Sequence, residues 1–288
     1  MMRLTLGIVK TRHSDGLLWS RILQSNHNPI TGVLHHHQSA ELYQLRRYFP
    51  DAALAELIEQ FWLVDWDLSG KPAHTQQNLP DPNFHVLISQ GTVTLLGPVS
   101  KNYSYEMQGK GQIIGVKFAL GALAELLNFK PADFIDQQMD AQQLFDIDCS
   151  QLLAELSLAH SDQQIIAILH ACFLPFAVRP SWQCTRVRQL VGLIKQQSDI
   201  TSVELLAERS GVSVQTIQRC FRQYLGLNPK WLIRKYRLHQ VLLLLEQQSV
   251  ESADLVEALG YSDQSHLIRD FKEFLGVTPT AYSLHPRS

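Results

Sequence analysis

From Phe61 to Ala119 apolar and polar residues alternate in short runs, the period expected of half-buried strands. The runs are FWLVDW (Phe61–Trp66), FHVLIS (Phe84–Ser89), TVTLL (Thr92–Leu96), YSYEM (Tyr103–Met107) and QIIGVKFA (Gln112–Ala119). Turn residues separate them: Leu79-Pro80-Asp81-Pro82-Asn83, Gln90-Gly91 and Gly109-Lys110-Gly111. The pattern predicts a small antiparallel barrel or sandwich. Before it, the spacing from Glu41 to Ile58 predicts a short helix. After Gly121 the period becomes helical over Ala122–Asn128, Asp140–Phe145, Cys149–Leu158 and Asp162–Leu174, a helical appendage to the barrel. The apolar face Ile165, Ile166, Ile168, Leu169, Cys172 and Phe173 is wide enough to predict a further helix partner, from a second chain.

The strongest pattern is an internal repeat. LAERSGVSVQTIQRCFRQYLGLNP (Leu206–Pro229) matches LVEALGYSDQSHLIRDFKEFLGVTP (Leu255–Pro279). Leu206, Glu208 and Gly211 fall on Leu255, Glu257 and Gly260. One added residue later, Arg219, Phe221, Gly226 and Pro229 fall on Arg269, Phe271, Gly276 and Pro279. Each copy reads as a helix ending in Gly, a turn carrying an N-cap residue (Ser213, Asp263), and a second helix stopped by Gly and Pro. That is helix-turn-helix grammar. Residues Pro229–Gln247 read as one helix linking the units, about 27 Å long at about 1.5 Å per residue. With Ile217, Phe221, Leu267 and Phe271 turned inward, Gln215, Gln218, Arg219, Ser265, Ile268 and Arg269 face outward as candidate base contacts. Gln can donate and accept at adenine N6/N7, and Arg can donate two parallel bonds to guanine O6/N7.

Charge adds to this picture only when the 288 residues are divided at Arg179-Pro180, the break that sets the predicted boundary. The formal charge is −2, but residues 1–178 hold 11 Lys and Arg against 17 Asp and Glu, and residues 179–288 hold 14 against 10. The 37 residues from Arg209 to Leu245 contain seven cations and no acid. Arg209, Arg222, Lys230, Arg234 and Lys235, with Lys272 from the second unit, are therefore candidate phosphate contacts. The expected architecture is α+β: a leader over 1–38, a sensor or dimerisation domain over 39–178, and an all-α domain of two helix-turn-helix units over 179–288.

The segment from about Thr185 to Tyr282 closely resembles the DNA-binding domain of AraC/XylS-type transcription regulators. LAERSGVS, RCFRQYLGLNP, the linker RKYRLHQVLLLL and LGYSDQSHLIRDFKEFLGVTP carry the likeness. Val241 and Val256 stand where the family usually has Ala. The first half resembles an uncharacterised, cupin-like domain found on some members, through FWLVDWDL, LPDPNFHVLI, LLGP and GVKFALGAL; Ala119, Leu120 and Gly121 stand where relatives tend to read Arg-Pro-Gly. The resemblance implies double-stranded DNA as partner, a homodimer, contact with RNA polymerase, activation, and a small-molecule effector bound by residues that the sequence does not identify.

Other chemistries find less support. Cys149, Cys172, Cys184 and Cys220 form no C-x-x-C pair. His35-His36-His37 point apart on any regular element, so no metal or other cofactor is expected. The alternative, a metal-dependent cupin-type enzyme, would draw on His74, His85, Asp65 and Asp81, which lack a tight ligand motif. The richest apolar run, Ile165–Val178, is broken by His170 and Pro175, short of the roughly 18 residues of a membrane span. The first 20 residues lack a secretory pattern, so a cytoplasmic, non-enzymatic protein is expected.

Overall fold

The computed structural model describes residues 41–126, 130–246, 261 and 263–283. The leader expected over 1–38 and the first helix of the second repeat, with Val256, lie outside them. Among the described residues eight strands form two sheets: β1 (Tyr43–Tyr48), β2 (Ile58–Leu68), β3 (His74–Asn78), β4 (His85–Ser89), β5 (Thr92–Leu96), β6 (Tyr103–Met107), β7 (Gly109–Phe118) and β8 (Gln138–Asp140). Six run in the order β1-β2-β7-β4-β5-β8, and β3 pairs with β6 apart from them. The α+β class holds, but the expected barrel does not close: β1 and β8 are separate edges, and β3–β6 lies as a flap over one face.

The predicted helix over Glu41–Ile58 is corrected to strand β1 followed by turns. Tyr43–Tyr48 pairs residue for residue with Trp66–Phe61, and this tertiary pairing overrides local spacing. Arg46 is fixed across the strands by Asp65 and by Asp162, whose Oδ1 lies 3.1 Å from Nη2.

The two faces of the large sheet differ. Phe61, Leu63, Val86, Ile88, Val116 and Phe118 point to one side and are buried beneath α1 (Cys149–Ser157) and α2 (Asp162–Phe173). Phe118 stacks on Phe145 at 5.5 Å and meets Phe173 edge-on at 5.6 Å. The α2 face expected to recruit a second chain is used here: Ile165, Ile166, Leu169 and Phe173 are buried in this core, with Ile168 and Cys172 half-buried beside it. Two expected helices are single short turns, Leu123–Glu125 and Ala141–Gln143.

The second half contains α3 (Trp182–Gln196), α4 (Val203–Ser210), α5 (Val214–Tyr224), α6 (Pro229–Glu246), α7 (Gln264–Leu275) and α8 (Pro279–Ser283). Among the described residues no helix is long and apolar enough to cross a membrane.

The halves are joined at several points. Arg188 of α3 donates to the Leu120 and Glu56 carbonyl oxygens, each at 2.8 Å. Trp231 Nε1 donates to Ser100 O at 3.2 Å, and Asn102 Nδ2 to Leu275 O at 3.0 Å. Gly226, at φ +72°, lies so close to the 131–132 turn that a Cβ there would sit 2.6 Å from Ala132 N. The first half therefore touches both repeat units. The Ala119-Leu120-Gly121 segment belongs to this junction, with Gly121 packed on Cys184 and Tyr224.

Candidate nucleic-acid interface

Each repeat unit sets its second helix by local chemistry. Ser202 caps α4, Gly211 ends it in the left-handed region at φ +66°, and Ser213 Oγ accepts from Thr216 N to start α5. In the second unit Asp263 Oδ1 accepts from His266 N at 2.8 Å, and Gly276 closes α7 at φ +75°. The inner face of α5 buries Ile217, Cys220, Phe221 and Tyr224; that of α7 buries Leu267, Asp270, Phe271, Phe274 and Leu275.

The outward rows are as expected from the periodicity. Gln215, Gln218, Arg219 and Arg222 on α5, and Ser265, Ile268, Arg269 and Lys272 on α7, are all exposed. Arg269 Nε lies 3.4 Å from Ser265 O of its own helix. Among the described residues no carboxylate forms an ion pair with Arg219, Arg222, Lys230, Arg269 or Lys272. Beside α5 a concavity of about 730 Å³ is lined by Gln218, Arg222, Lys230, Ser202 and Asn228, with Ala132 of the first half at its rim. Two cations and the starts of α4 and α6 thus share one hollow, an arrangement that suits a phosphate strand.

The basic stripe is not one surface, and three of its cations are placed differently from expectation. Arg234 donates to Asp270 Oδ1 from Nε and Nη2 at 3.0 and 2.8 Å, and its Nη1 donates to Glu273 at 3.1 Å. Burial disfavours its charge, yet Glu273 and Asp270 together hold its pKa above the ordinary value. Lys235 is turned towards the first half, where burial lowers its pKa to about 8 despite the nearby Asp81. Arg209 is paired at the surface with Asp199 at 2.7 Å. The acids that hold these residues come from outside the acid-free stretch, so the local count did not show them.

Asp270 was missed in the sequence. It is 1% exposed and also lies 3.4 Å from the buried Arg237, whose guanidinium stands 4.1 Å over the Tyr261 ring. It tethers the linker helix α6 to the recognition helix α7. The available signal was an acid on the apolar face of α7, at the repeat position that holds Cys220 in the first unit.

The cysteines are free thiols; burial raises the pKa of Cys149, Cys172 and Cys184, with Cys172 pushed up to about 11. Of the four groups of the cupin alternative, only Asp81 and His85 come together, at 3.7 Å among the described residues. Asp65 holds Arg46, Asp81 holds Lys117 at 2.9 Å, and His74 lies 3.4 Å from Gln76. Among the described residues no three His, Cys, Asp or Glu side chains gather as a metal would require.

Comparison with known proteins agrees with the geometry. The model of a helix-turn-helix domain matches residues 206–284, and a domain of unknown function, DUF6597, matches residues 46–140. The C-terminal segment is an AraC-type helix-turn-helix domain. The activator RhaS of Pectobacterium carotovorum is 27% identical over 44% of this chain and 49% of its own length. A putative AraC-like transcription regulator of Streptomyces antibioticus is 26% identical over 53% of the chain and 50% of its own. The multiple antibiotic resistance protein MarA of Salmonella typhimurium is 30% identical over 29% of the chain and 65% of its own. The chain thus spans less than two thirds of each of these relatives, of which the first is described as HTH-type and the second as AraC-like.

Proposed function

We propose that the chain is a sequence-specific DNA-binding transcription regulator in which residues 179–288 read two adjacent major-groove segments and residues 39–178 sense a small effector. The observation that supports this reading is the pair of equivalent helices α5 and α7, each capped, buried on one face and exposing polar or basic residues on the other. Base edges fall to Gln215, Gln218 and Arg219 in the first unit and Ser265, Ile268 and Arg269 in the second. Ile268 offers only apolar contact, suited to a thymine methyl group. Phosphates fall to Arg222, Lys230 and Lys272, with Arg209 exchanging Asp199 for phosphate; Arg234 and Lys235 serve internal contacts instead. The 18-residue α6 spans about 27 Å between the units. Successive major grooves on one face of DNA lie about 34 Å apart, so one chain can address both.

RhaS carries the description of an activator, which favours activation here, with RNA polymerase as the neighbour at a promoter in the cytoplasm. Homodimerisation would bring two such readers to a repeated operator through a surface other than the buried face of α2. No catalytic step is assigned. Genome-wide footprinting of the purified protein tests the reading. Discrete protected sites of about two major-groove segments, retained against excess random DNA, are the expected result; uniform protection would overturn sequence specificity.

A further inference from the structure

Two stretches of the first half, 97–102 and 131–137, are stitched into one piece. They extend the paired strands β5 and β8, where Leu96 lies opposite Gln138. Gly97 N donates to Gln137 O at 2.9 Å, and Asp136 N donates to Pro98 O at 2.8 Å. Only glycine permits this approach at position 97, since a Cβ there would lie 1.9 Å from Phe134 O. Asp136 completes the joint with both carboxylate oxygens: Oδ1 accepts from Ser100 N at 2.7 Å and Oδ2 from Ser100 Oγ at 2.6 Å. Its backbone stands in the left-handed region at φ +58°, which Asp tolerates better than most residues.

This piece reaches the same place in both repeat units. In the first, the 131–132 peptide packs on Gly226 just beyond α5, where a Cβ would meet Ala132 N at 2.6 Å. In the second, Asn102 Nδ2 donates at 3.0 Å to the carbonyl oxygen of Leu275, the residue before Gly276. Gly226 and Gly276 are equivalent in the repeat. Leu275 O is among the last four carbonyls of α7, which have no partner within the helix, so the bond from Asn102 competes with none inside it. Between these two contacts Ser100 O accepts from Trp231 Nε1 of α6, and the Trp231 ring lies 5.6 Å from that of Phe274 in α7.

Attachment at two points differs from attachment at one. Helix α7 is already tied to α6 through Asp270, about 7.5 Å along the helix from Leu275. A single tie fixes a position and leaves the helix free to swing; a second at its end fixes a direction. We propose that stretches 97–102 and 131–137 form a clamp that sets the angle and separation of α5 and α7, with Asp136 and Asn102 as positioning residues for the spacing of the two DNA segments. This rests on the reading of α5 and α7 as paired readers of DNA, and adds that the first half, rather than the linker helix alone, decides which spacing fits. One added base pair moves the second segment by about 3.4 Å and turns it by about 35° around the duplex, more than a helix held at two points can follow.

The full-length chain and its variants are titrated with duplexes from the footprinted operator: both segments at the natural spacing, with one base pair added or removed, and each segment alone. The unaltered chain is expected to prefer the natural spacing by about tenfold or more. Asn102→Ala removes the donor to α7, and Asp136→Gly removes both acceptors while suiting φ +58°. Each should cut the preference to about threefold or less and leave affinity for single segments unchanged. Asp136→Asn keeps an acceptor for Ser100 N and should retain most of the preference. An undiminished preference in both Asn102→Ala and Asp136→Gly, or an equal loss on every duplex, would overturn the clamp. A second measurement needs no DNA: nitroxides attached to a keto amino acid at positions 215 and 265 report the distances between α5 and α7. A narrow distribution in the unaltered clamp and a broader one in Asn102→Ala and Asp136→Gly is the expected result, and equal widths would overturn the proposal. If the unaltered chain showed no sequence preference, the regulatory reading would fall and the nitroxide distances would still decide the clamp.

Discussion

Arg234 of the linker helix donates two hydrogen bonds to a single carboxylate oxygen of Asp270 in the second recognition helix, at 3.0 and 2.8 Å. Asp270 is almost wholly enclosed, and Arg237 approaches its other oxygen. The bond thus fixes how α7 is presented relative to α6, and through α6 relative to α5. Asp270→Ala leaves two guanidinium groups facing an empty site, and removing one partner of a buried pair costs about 3–5 kcal/mol. Urea unfolding of the full chain should register a loss of that order. Binding to the half-site read by α7 should fall more than binding to the other half. Equal loss at both half-sites, with unchanged stability, would remove the tether from the account.

Arg219 and Arg269 occupy equivalent outward places on α5 and α7. Arg219→Ala and Arg269→Ala should each weaken operator binding by about 1–3 kcal/mol, the range for one good bidentate base contact. Affinity for random DNA should change much less. Competition binding with operator and scrambled duplexes separates the two; parallel losses would make the arginine a phosphate anchor. The first unit offers Gln215 and Gln218 beside its arginine, and the second offers Ser265 and Ile268. A base-by-base substitution scan should therefore find sharper preference in the half-site of the first unit.

Salt dependence distinguishes exposed cations from those held internally. Each neutralised phosphate contributes about −0.9 to the slope of log affinity against log salt, so the four phosphate contacts Arg209, Arg222, Lys230 and Lys272 give about −3.6. Arg222→Ala or Lys230→Ala should make the slope shallower by about 0.9 each. Lys235→Met should leave it unchanged, because that side chain is directed at Asp81 and Lys117 rather than at the DNA-facing row. A shallower slope for Lys235→Met would restore it to the phosphate set.

The repeat was legible because caps, glycines and the 3.6-residue period all act within a few residues of one another. Once Ile217, Phe221, Leu267 and Phe271 are placed inward, the outward rows follow by geometry alone. The five central strands were legible for the same kind of reason, alternation beside turn residues. Tyr43–Tyr48 was not, since its strand state depends on β2, and Arg46 on partners as distant in sequence as Asp162. His74–Asn78 is polar on both faces and becomes a strand only by pairing with β6. The functions of Arg234 and Lys235 were hidden because their acids come from other elements. A run of cations in sequence says nothing about which face of the fold each one reaches.

Lys235 itself gives the pH prediction. Burial lowers its pKa to about 8 in the folded protein, while Asp81 and Glu59 favour its charge and Lys117 and Lys195 oppose it. In the unfolded chain the side chain titrates near the ordinary lysine value of 10.5. Between about pH 8 and 10.5 the unfolded state then binds more protons than the folded state, so this group makes stability rise with pH across that window. Below about pH 8 both states are protonated and the cost of burying the charge is present in full. Replacing Lys235 by Met, which keeps the apolar length and removes the charge, should stabilise the protein at pH 7 by about 1–3 kcal/mol. The gain should shrink as pH rises towards 10, which cancels the contributions of other titrating groups in the difference between the two proteins. Urea unfolding of both at pH 7, 8.5 and 10 measures it. A constant difference would mean that Lys235 is solvated in the folded state, and a reversed trend that its carboxylate neighbours outweigh its burial.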